Sequence, residues 1–186
     1  MRMRGVGFPP CRALCLRFTF PVPSSCMVAC ELPGFQVIAH VRSPYIQRID
    51  APHQPTVTVG TESGRAEIAT VEFVEGFPHA AFRDLQGFDR IWLIFLFHRS
   101  EGWKPEVRPP RGGGKRSVLA TRSPHRPNAL GLSAVKLLAV EPNALTVQGI
   151  DLLDGTPILD IKPYVPYTDS FPEASAGWID ALDAQH

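Results

Sequence analysis

The sequence lacks three features that would each place it in a familiar class of protein. No apolar stretch approaches the length that spans a bilayer, and residues 32–186 contain no cysteine from which to build a disulfide framework. No G-x-G-x-x-G follows a strand pattern, and neither G-x-x-x-x-G-K-[ST] nor H-x-E…C-x-x-C occurs. We therefore expect a cytoplasmic protein without membrane association that is neither a Rossmann nor a P-loop enzyme, nor a zinc deaminase.

All four cysteines lie in the first thirty residues, at Cys11, Cys15, Cys26 and Cys30. Paired thiolates at this spacing leave a zinc site open as an alternative. However, prolines interrupt the segment and it precedes the first strand pattern. Arg17 also interrupts any apolar core of a secretory signal. We therefore predict that residues 1–33 form an N-terminal extension without fixed structure, and we assign no metal ligands.

The formal net charge of +1 hides an asymmetry along the chain. Residues 1–30 carry four arginines and no acid, so the remainder has a net charge of −3. Binding to nucleic acid must then use a local basic patch. The candidates lie between residues 104 and 126: Lys104, Arg108, Arg111, Lys115, Arg116, Arg122 and Arg126. The alternative is a solvated loop rich in glycine and proline.

The periodicity from residue 34 onward is mostly that of short strands. Arg90–Phe97 is continuously apolar and predicts a strand buried on both faces. The other predicted strands are Phe35–Val41, Ala66–Val74, Ser117–Thr121, Ser133–Val140, Ala144–Ile150 and Ile158–Ile161. Phe77–Phe88 predicts one short helix. The pattern favours a mainly β protein, with a single small closed or nearly closed β-barrel over residues 34–176, long Pro/Gly loops and a tail over residues 177–186.

Residues 120–133 form the first candidate recognition segment. Arg122 and Arg126 stand four residues apart, close to Pro124 and Pro127, which exclude an ordinary helix. Asn128 adds local hydrogen bonding. Guanidinium groups on a stiffened loop suit planar anions such as carboxylate and phosphate. An ordinary surface turn remains the alternative.

Residues 150–170 form a second polar segment. Asp151 and Asp154 can accept hydrogen bonds from ribose hydroxyls or an ammonium group, and Asp160 and Lys162 share one strand face. Tyr164 and Tyr167, which Pro166 separates, are predicted to lie along a proline-stiffened strand and can stack a base. Each feature also has a structural interpretation, as a turn, a surface ion pair or packing.

Together these segments resemble the TrmO/TsaA-like family, also called UPF0066. The resemblance rests on "ATRSPHRPNALGLSAVKL" at 120–137, "GIDLLDGTPILDIKPYVPYTDS" at 149–170, "VRSPY" at 41–45, "PHQP" at 52–55 and "RIWLIFLFHR" at 90–99. It implies an S-adenosylmethionine-dependent methyltransferase on a small β-barrel, dimeric, with the cofactor near the subunit interface. Family members methylate the exocyclic N6 of threonylcarbamoyladenosine at position 37, in the tRNA anticodon loop.

The resemblance assigns cofactor contacts residue by residue. They fall on Pro52, His53, Gln54, His98, Arg99, Arg122, Leu132, Asp151, Leu152, Leu153 and Asp154. We expect the arginine loop and the aspartate turn to converge on one pocket. Relatives carry Arg where this chain has His53 and Gln where it has Arg99.

The remaining roles follow from placement beside these stretches. Asp160, Lys162 and Tyr164 are the catalytic candidates, with Asp160 as the proton acceptor. The candidates for binding the tRNA substrate are Arg126, Asn128, Tyr167, Lys115 and Arg116. The alternative function is a cofactor-sensing or RNA-binding module on the same barrel that performs no methyl transfer.

Overall fold

The computed structural model describes residues 34–47, 51, 67–110 and 112–184. The cysteine-containing extension, Arg111 and the cofactor candidates Pro52, His53 and Gln54 lie outside the described residues. The described residues from Phe35 onward belong to one compact unit. Among the described residues, no helix is long and apolar enough to cross a membrane.

The described residues contain eight strands, six of which close into a barrel in the order β1-β2-β7-β6-β3-β8. The strands are β1 (Ala39–Arg42), β2 (Ile68–Phe73), β3 (Arg90–Leu96), β4 (Glu106–Val107), β5 (Arg116–Ser117), β6 (Leu130–Val140), β7 (Ala144–Gln148) and β8 (Pro157–Pro163). Every neighbouring pair is antiparallel. The predicted mainly β, closed barrel is therefore confirmed, and β4 with β5 forms a separate ribbon.

The barrel closes because its strands alternate between an apolar interior and an outer face. In β3, Ile91, Leu93 and Phe95 are buried inside, while the intervening residues are partly exposed. The prediction that this strand is buried on both faces was wrong, because in a small barrel only the face that points into the interior is fully buried. Its outer face carries Trp92 and Ile94, so both faces are apolar in sequence.

Two other sequence predictions need correction. Phe77–Phe88 contains two 3₁₀ turns, His79–Ala81 and Arg83–Leu85, instead of a helix. Phe82 packs here on Phe73, with ring centroids 3.8 Å apart, so contact with the core sets the backbone. The predicted strand Ser117–Thr121 pairs only at Ser117. Beyond it, buried Val118 begins the 3₁₀ turn Val118–Ala120.

Two short helices follow β8: α1 (Pro166–Asp169) and α2 (Trp178–Asp183). Pro166 stands at the start of α1, where a missing amide proton costs little. The sequence predicts that Tyr164 and Tyr167 lie along one strand. That prediction is wrong, because Tyr164 follows the end of β8 and Tyr167 lies in α1. α2 lies within residues 177–186, the range predicted as a tail.

The alternating strand directions give the barrel two distinct ends. At the end we call the upper end, β1, β3 and β7 finish, at Arg42, Leu96 and Gln148. β2, β6 and β8 begin there. At the opposite, lower end, β8 finishes at Pro163 and β6 at Val140. The segments that follow β1, β3 and β7 and those that precede β2, β6 and β8 therefore lie at the upper end.

Candidate functional site

The upper end of the barrel gathers most of the described residues that the sequence singles out. Four segments meet there: 43–47 after β1, 97–100 after β3, 121–129 before β6 and 149–156 before β8. Backbone hydrogen bonds join them, including Asp154 N to Tyr45 O at 2.8 Å and Phe97 N to Ala129 O at 2.7 Å. The segments are thus held together by main-chain contacts that do not depend on their side chains.

Asp151 is the central carboxylate of this end. It accepts a hydrogen bond from Ser133 Oγ at 2.8 Å, and Ser133 itself is buried. Burial of the carboxyl group raises the pKa of Asp151 to about 6. The bond from Ser133, its own backbone amide and the charge of Arg122 each lower that pKa in part. Asp151 therefore changes charge near neutral pH.

Arg122 lies within electrostatic range of Asp151, since its charge lowers the pKa of that carboxyl group. It is exposed and stands in an irregular loop with internal hydrogen bonds. The Thr121 hydroxyl donates to Val118 O at 2.8 Å, and Ser123 N donates to the same hydroxyl at 3.3 Å. Arg126 Nη1 donates to Thr121 O at 3.2 Å. The Arg122 guanidinium therefore acts electrostatically on Asp151, whereas the Arg126 guanidinium stabilises the loop.

Tyr45 lies within electrostatic range of the same carboxylate. It is partly buried, and burial raises the pKa of its phenol, with the charges of Glu67 and Asp151 adding to the effect. The alternation of β6 places Ser133 inside the barrel, between Gly131 and Val135. The alternation of β6 can be read from the sequence and would have identified Ser133 as an inward-facing residue. The proximity of Tyr45 to Asp151 depends on the order of the strands in the barrel, which the local sequence does not show.

Asp154 fixes the segment after β1. Its Oδ1 accepts a hydrogen bond from Ser43 N at 3.1 Å. Gly155 N donates to Val41 O at 2.8 Å, with Gly155 at a φ of +75° that favours glycine. Asp154 therefore holds the 43–47 segment next to the aspartate turn.

His98 and Arg99 stand at the end of β3 and are exposed. Burial lowers the pKa of His98, and the charges of Arg99 and His40 lower it further. Arg99 Nη1 donates to Ile46 O at 2.7 Å. A histidine held neutral and a guanidinium thus border the segment after β1.

Leu152 and Leu153 complete the aspartate turn. Leu152 is buried with its side chain in the core, so only its main chain can meet a ligand. The carbonyl oxygen of Leu153 accepts a bond from Thr156 Oγ1 at 2.7 Å. Asn128 is exposed in the arginine loop.

The three catalytic candidates lie on β8 or directly after it, in none of the four segments that meet at the upper end. Asp160 lies halfway along β8, and Lys162 lies opposite Trp92, closer to the lower end. Lys162 Nζ and Asp160 Oδ2 form a partly exposed ion pair at 2.8 Å. Tyr164 N donates to Arg90 O at 3.0 Å, beside the start of β3.

Two further candidates lie on the outer surface. Leu132 is 51% exposed and pairs with Ile94, which in turn pairs with Asp160. These three residues form a row across the outer face of β6, β3 and β8. Tyr167 is 86% exposed on α1.

The two neighbouring basic candidates, Lys115 and Arg116, differ in exposure. Lys115 is exposed, with Nζ 3.8 Å from Glu106 Oε2. Arg116 is partly buried, and its Cζ lies 5.4 Å from the centroid of the Trp178 ring. Arg116 therefore contributes to internal packing.

A profile of the tRNA-methyltransferase O N-terminal domain matches residues 40–170. The chain belongs to this family. A putative S-adenosylmethionine-dependent methyltransferase RcsF of Pseudomonas aeruginosa is 47% identical over 149 residues, which cover 77% of this chain and 60% of the relative. The tRNA (adenine(37)-N6)-methyltransferase of Escherichia coli strain K12 is 39% identical over 158 residues, covering 81% of this chain and 65% of the relative.

Solved structures of the same family share the fold. The crystal structure of TrmO from Pseudomonas aeruginosa matches with a TM-score of 0.66 and 37% identity, covering 80% of this chain and 63% of that one. The present chain thus spans about 60 to 65% of the length of these family members.

Proposed function

We propose that the protein is an S-adenosylmethionine-dependent methyltransferase acting on the exocyclic N6 of adenosine 37 in tRNA, with threonylcarbamoyladenosine as the base that it methylates. The observation that supports the proposal is the electrostatic influence of Arg122 on Asp151 at the upper end of a barrel of the tRNA-methyltransferase O family. One cation and one partly buried carboxylate suit a ligand that bears both charges.

The chemistry of the upper end fits adenosylmethionine. Arg122 is an exposed guanidinium suited to the carboxylate of the ligand. Asp151 accepts one bond from Ser133 and retains further acceptor positions for an ammonium or ribose hydroxyl group. Backbone groups of residues 151–154 can meet the adenine. Bound there, the cofactor supplies an electrophilic methyl group.

The chain's own residues then have to orient the base and exclude water. His98 borders the upper end and, with its lowered pKa, is neutral at pH 7. Its ring can accept a hydrogen bond. Arg99, which donates to Ile46 O, holds the segment after β1 close to this histidine.

We propose that Asp160, Lys162 and Tyr164 act on the cofactor held by a second subunit, since they lie outside the four segments of the upper end. We propose a homodimer with the cofactor near the interface. The outer face of β3 and β6 supports it, because Leu96, Leu132 and Leu138 are 37%, 51% and 42% exposed there and Trp92 and Ile94 are partly exposed. Asp160 lies in the same row as Leu132, so this face would bring Asp160 to a partner.

The anticodon loop of tRNA is the proposed partner of the region around the upper end. Lys104, Arg108 and Lys115 are exposed and supply positive charge for phosphates. Asn128 lies on the arginine loop at this end. Exposed Tyr167 follows the lower end of β8, so the ring that it offers for stacking a base would have to come from the second subunit of the proposed homodimer.

The decisive experiment incubates the purified protein and adenosylmethionine with tRNA that carries threonylcarbamoyladenosine. Mass spectrometry of the digested nucleosides should show that base heavier by one methyl group. Arg122→Ala should lose most of the transfer and of the cofactor binding measured by calorimetry. Arg83→Ala is the matched control, since exposed Arg83 lies in a 3₁₀ turn after β2, in a segment outside those at the upper end. Cofactor binding without methyl transfer would indicate the non-catalytic alternative, and absence of binding would overturn the proposal.

A further inference from the structure

Helix α2 makes three separate contacts with the region that leads into the arginine loop. It contacts Ala120 in the 3₁₀ turn that precedes Arg122, Arg116 on β5, and Gly113 in the loop before β5. These contacts join residues 58 or more positions apart in the chain. The helix therefore links the end of the described chain to the loop that carries Arg122.

Trp178 makes two of the three contacts. Its indole Nε1 donates to Ala120 O at 2.9 Å. The Arg116 guanidinium lies 5.4 Å from the ring centroid, within the range of a cation–π contact. Arg116 Nε is buried, so the guanidinium is partly shielded from water. One side chain thus binds both the ribbon and the turn.

Leu182 makes the third contact, one turn further along α2. A β-carbon on Gly113 would lie 3.1 Å from one Leu182 methyl and 3.2 Å from the other. Gly113 also has a φ of +76°, a conformation that favours glycine. A glycine at this position therefore lets the loop before β5 approach the helix closely.

The start of α2 is fixed as well. Asp180 Oδ2 accepts hydrogen bonds from Ala176 N at 2.7 Å and from Ser175 Oγ at 3.0 Å. A helix of six residues has little stability of its own, so its contacts with neighbouring segments stabilise it. The converse also holds, because the same contacts restrain the turn at Ala120.

The restraint at Ala120 extends to both arginines. The next residue, Thr121, is held at both of its backbone polar groups, since Thr121 N donates to Val118 O at 3.2 Å and Thr121 O accepts from Arg126 Nη1 at 3.2 Å. Arg122 follows directly. A movement of the Ala120 carbonyl would therefore move the loop that carries Arg122, whose charge acts on Asp151.

We propose that Trp178 is a positioning residue that fixes the arginine loop through Ala120 and Arg116. The inference rests on the proposed function for its consequence, because Arg122 is the residue whose placement affects cofactor binding. It also gives Arg116 a role different from direct contact with tRNA. Arg116 contributes to the position of the arginine loop through its contact with the Trp178 ring. Lys115 is exposed and remains available to phosphate.

The test compares three variants of the full chain. Trp178→Leu removes the indole N–H and the ring, whereas Trp178→Phe keeps a ring under Arg116 and removes only the donor to Ala120 O. Trp103→Phe is the matched control, since Trp103 is an exposed tryptophan. Hydrogen–deuterium exchange of residues 118–126, the Kd for adenosylmethionine, and KM and kcat for tRNA are measured for each.

We expect Trp178→Leu to speed exchange of residues 118–126 about tenfold and to raise the Kd for adenosylmethionine about fivefold to tenfold. KM for tRNA should rise more than kcat falls. Trp178→Phe should give a smaller change in the same direction and serves alone if the leucine variant does not fold. The control should match the wild type.

Exchange and Kd equal to those of the control would overturn the proposal. Faster exchange with an unchanged Kd would overturn it too, since Trp178 would then stabilise the loop without positioning Arg122. If the wild type itself bound no adenosylmethionine, the proposed function would fail separately. The exchange of residues 118–126 would then still decide whether Trp178 fixes the loop.

Discussion

Ser133 on β6 donates a hydrogen bond of 2.8 Å to the carboxylate of Asp151 in the turn after β7, and so links the barrel interior to the loops of the upper end. Ser133 stands on the inward face of its strand, between Gly131 and Val135. A polar side chain inside a small barrel needs a partner. Asp151 supplies that partner, and the bond in turn orients the carboxylate.

Ser133→Ala should therefore destabilise the protein when Asp151 is ionised. A hydrogen bond to a charged group contributes about 1.5–3 kcal/mol, so urea unfolding at pH 8 should show a loss of that order. The loss should be smaller at pH 5, where Asp151 is largely protonated. Ser175→Ala is the matched control, since Ser175 donates to Asp180 at 3.0 Å in an exposed position. Equal losses of unfolding free energy for the two variants would contradict the claim that the buried bond from Ser133 stabilises the protein more than the exposed bond from Ser175.

The pKa of Asp151 makes a second prediction about stability and pH. The folded protein holds this proton up to about pH 6, whereas the unfolded chain releases it near 3.8. The native state therefore binds more protons between these values, so the contribution of Asp151 to stability falls as the pH rises through 6. Two units of pKa correspond to about 3 kcal/mol. The difference in unfolding free energy between wild type and Asp151→Asn should shift by that order between pH 4 and pH 7. A difference that stays constant with pH would exclude the shift.

Phe95 and Gly131 give a third prediction, about packing. A β-carbon on Gly131 would lie 2.2 Å from the Phe95 ring, a distance that real atoms do not tolerate. Gly131→Ala should cost about 1–3 kcal/mol of unfolding free energy through overpacking. The double variant with Phe95→Leu should recover part of this loss, because the smaller side chain leaves room for the methyl group. Additive losses in the double variant would argue against direct contact.

The sequence predicts the barrel well because alternation and turn residues act locally. Val140 and Ala144 flank a hairpin as expected from Glu-Pro-Asn, and Glu141 N donates to Ala144 O at 2.8 Å. The failures come from contacts with distant residues. Phe77–Phe88 has helical spacing, but stacking of Phe82 on Phe73 divides it into two 3₁₀ turns.

The candidate site shows the same division. Resemblance and residue chemistry predict that Arg122 and Asp151 come together, and they lie within electrostatic range. The positions of Asp160 and Lys162 partway along β8 could not be predicted, because they depend on the order and register of the strands. The contribution of Trp178 depends on a tertiary contact with Ala120, and nothing in the local sequence signals it.

The position of Asp160 leads to a fourth prediction, about subunits. If Asp160 acts on a cofactor held by the partner, each site combines Arg122 of one subunit with Asp160 of the other. Arg122→Ala and Asp160→Asn should then each be inactive alone. An equimolar mixture that is allowed to exchange subunits should recover about a quarter of the wild-type rate, since half of the dimers carry one intact site.

Two controls make this mixing experiment decisive. Light scattering with wild type and with Leu138→Glu tests whether the outer face of β6 forms the dimer, since Leu138 is exposed there and lies outside the proposed site. Mixing two Arg122→Ala preparations should recover nothing. Full activity of Asp160→Asn alone would remove Asp160 from the mechanism. Inactive single variants that recover no activity on mixing would mean that both residues act within one subunit, and would overturn the shared site.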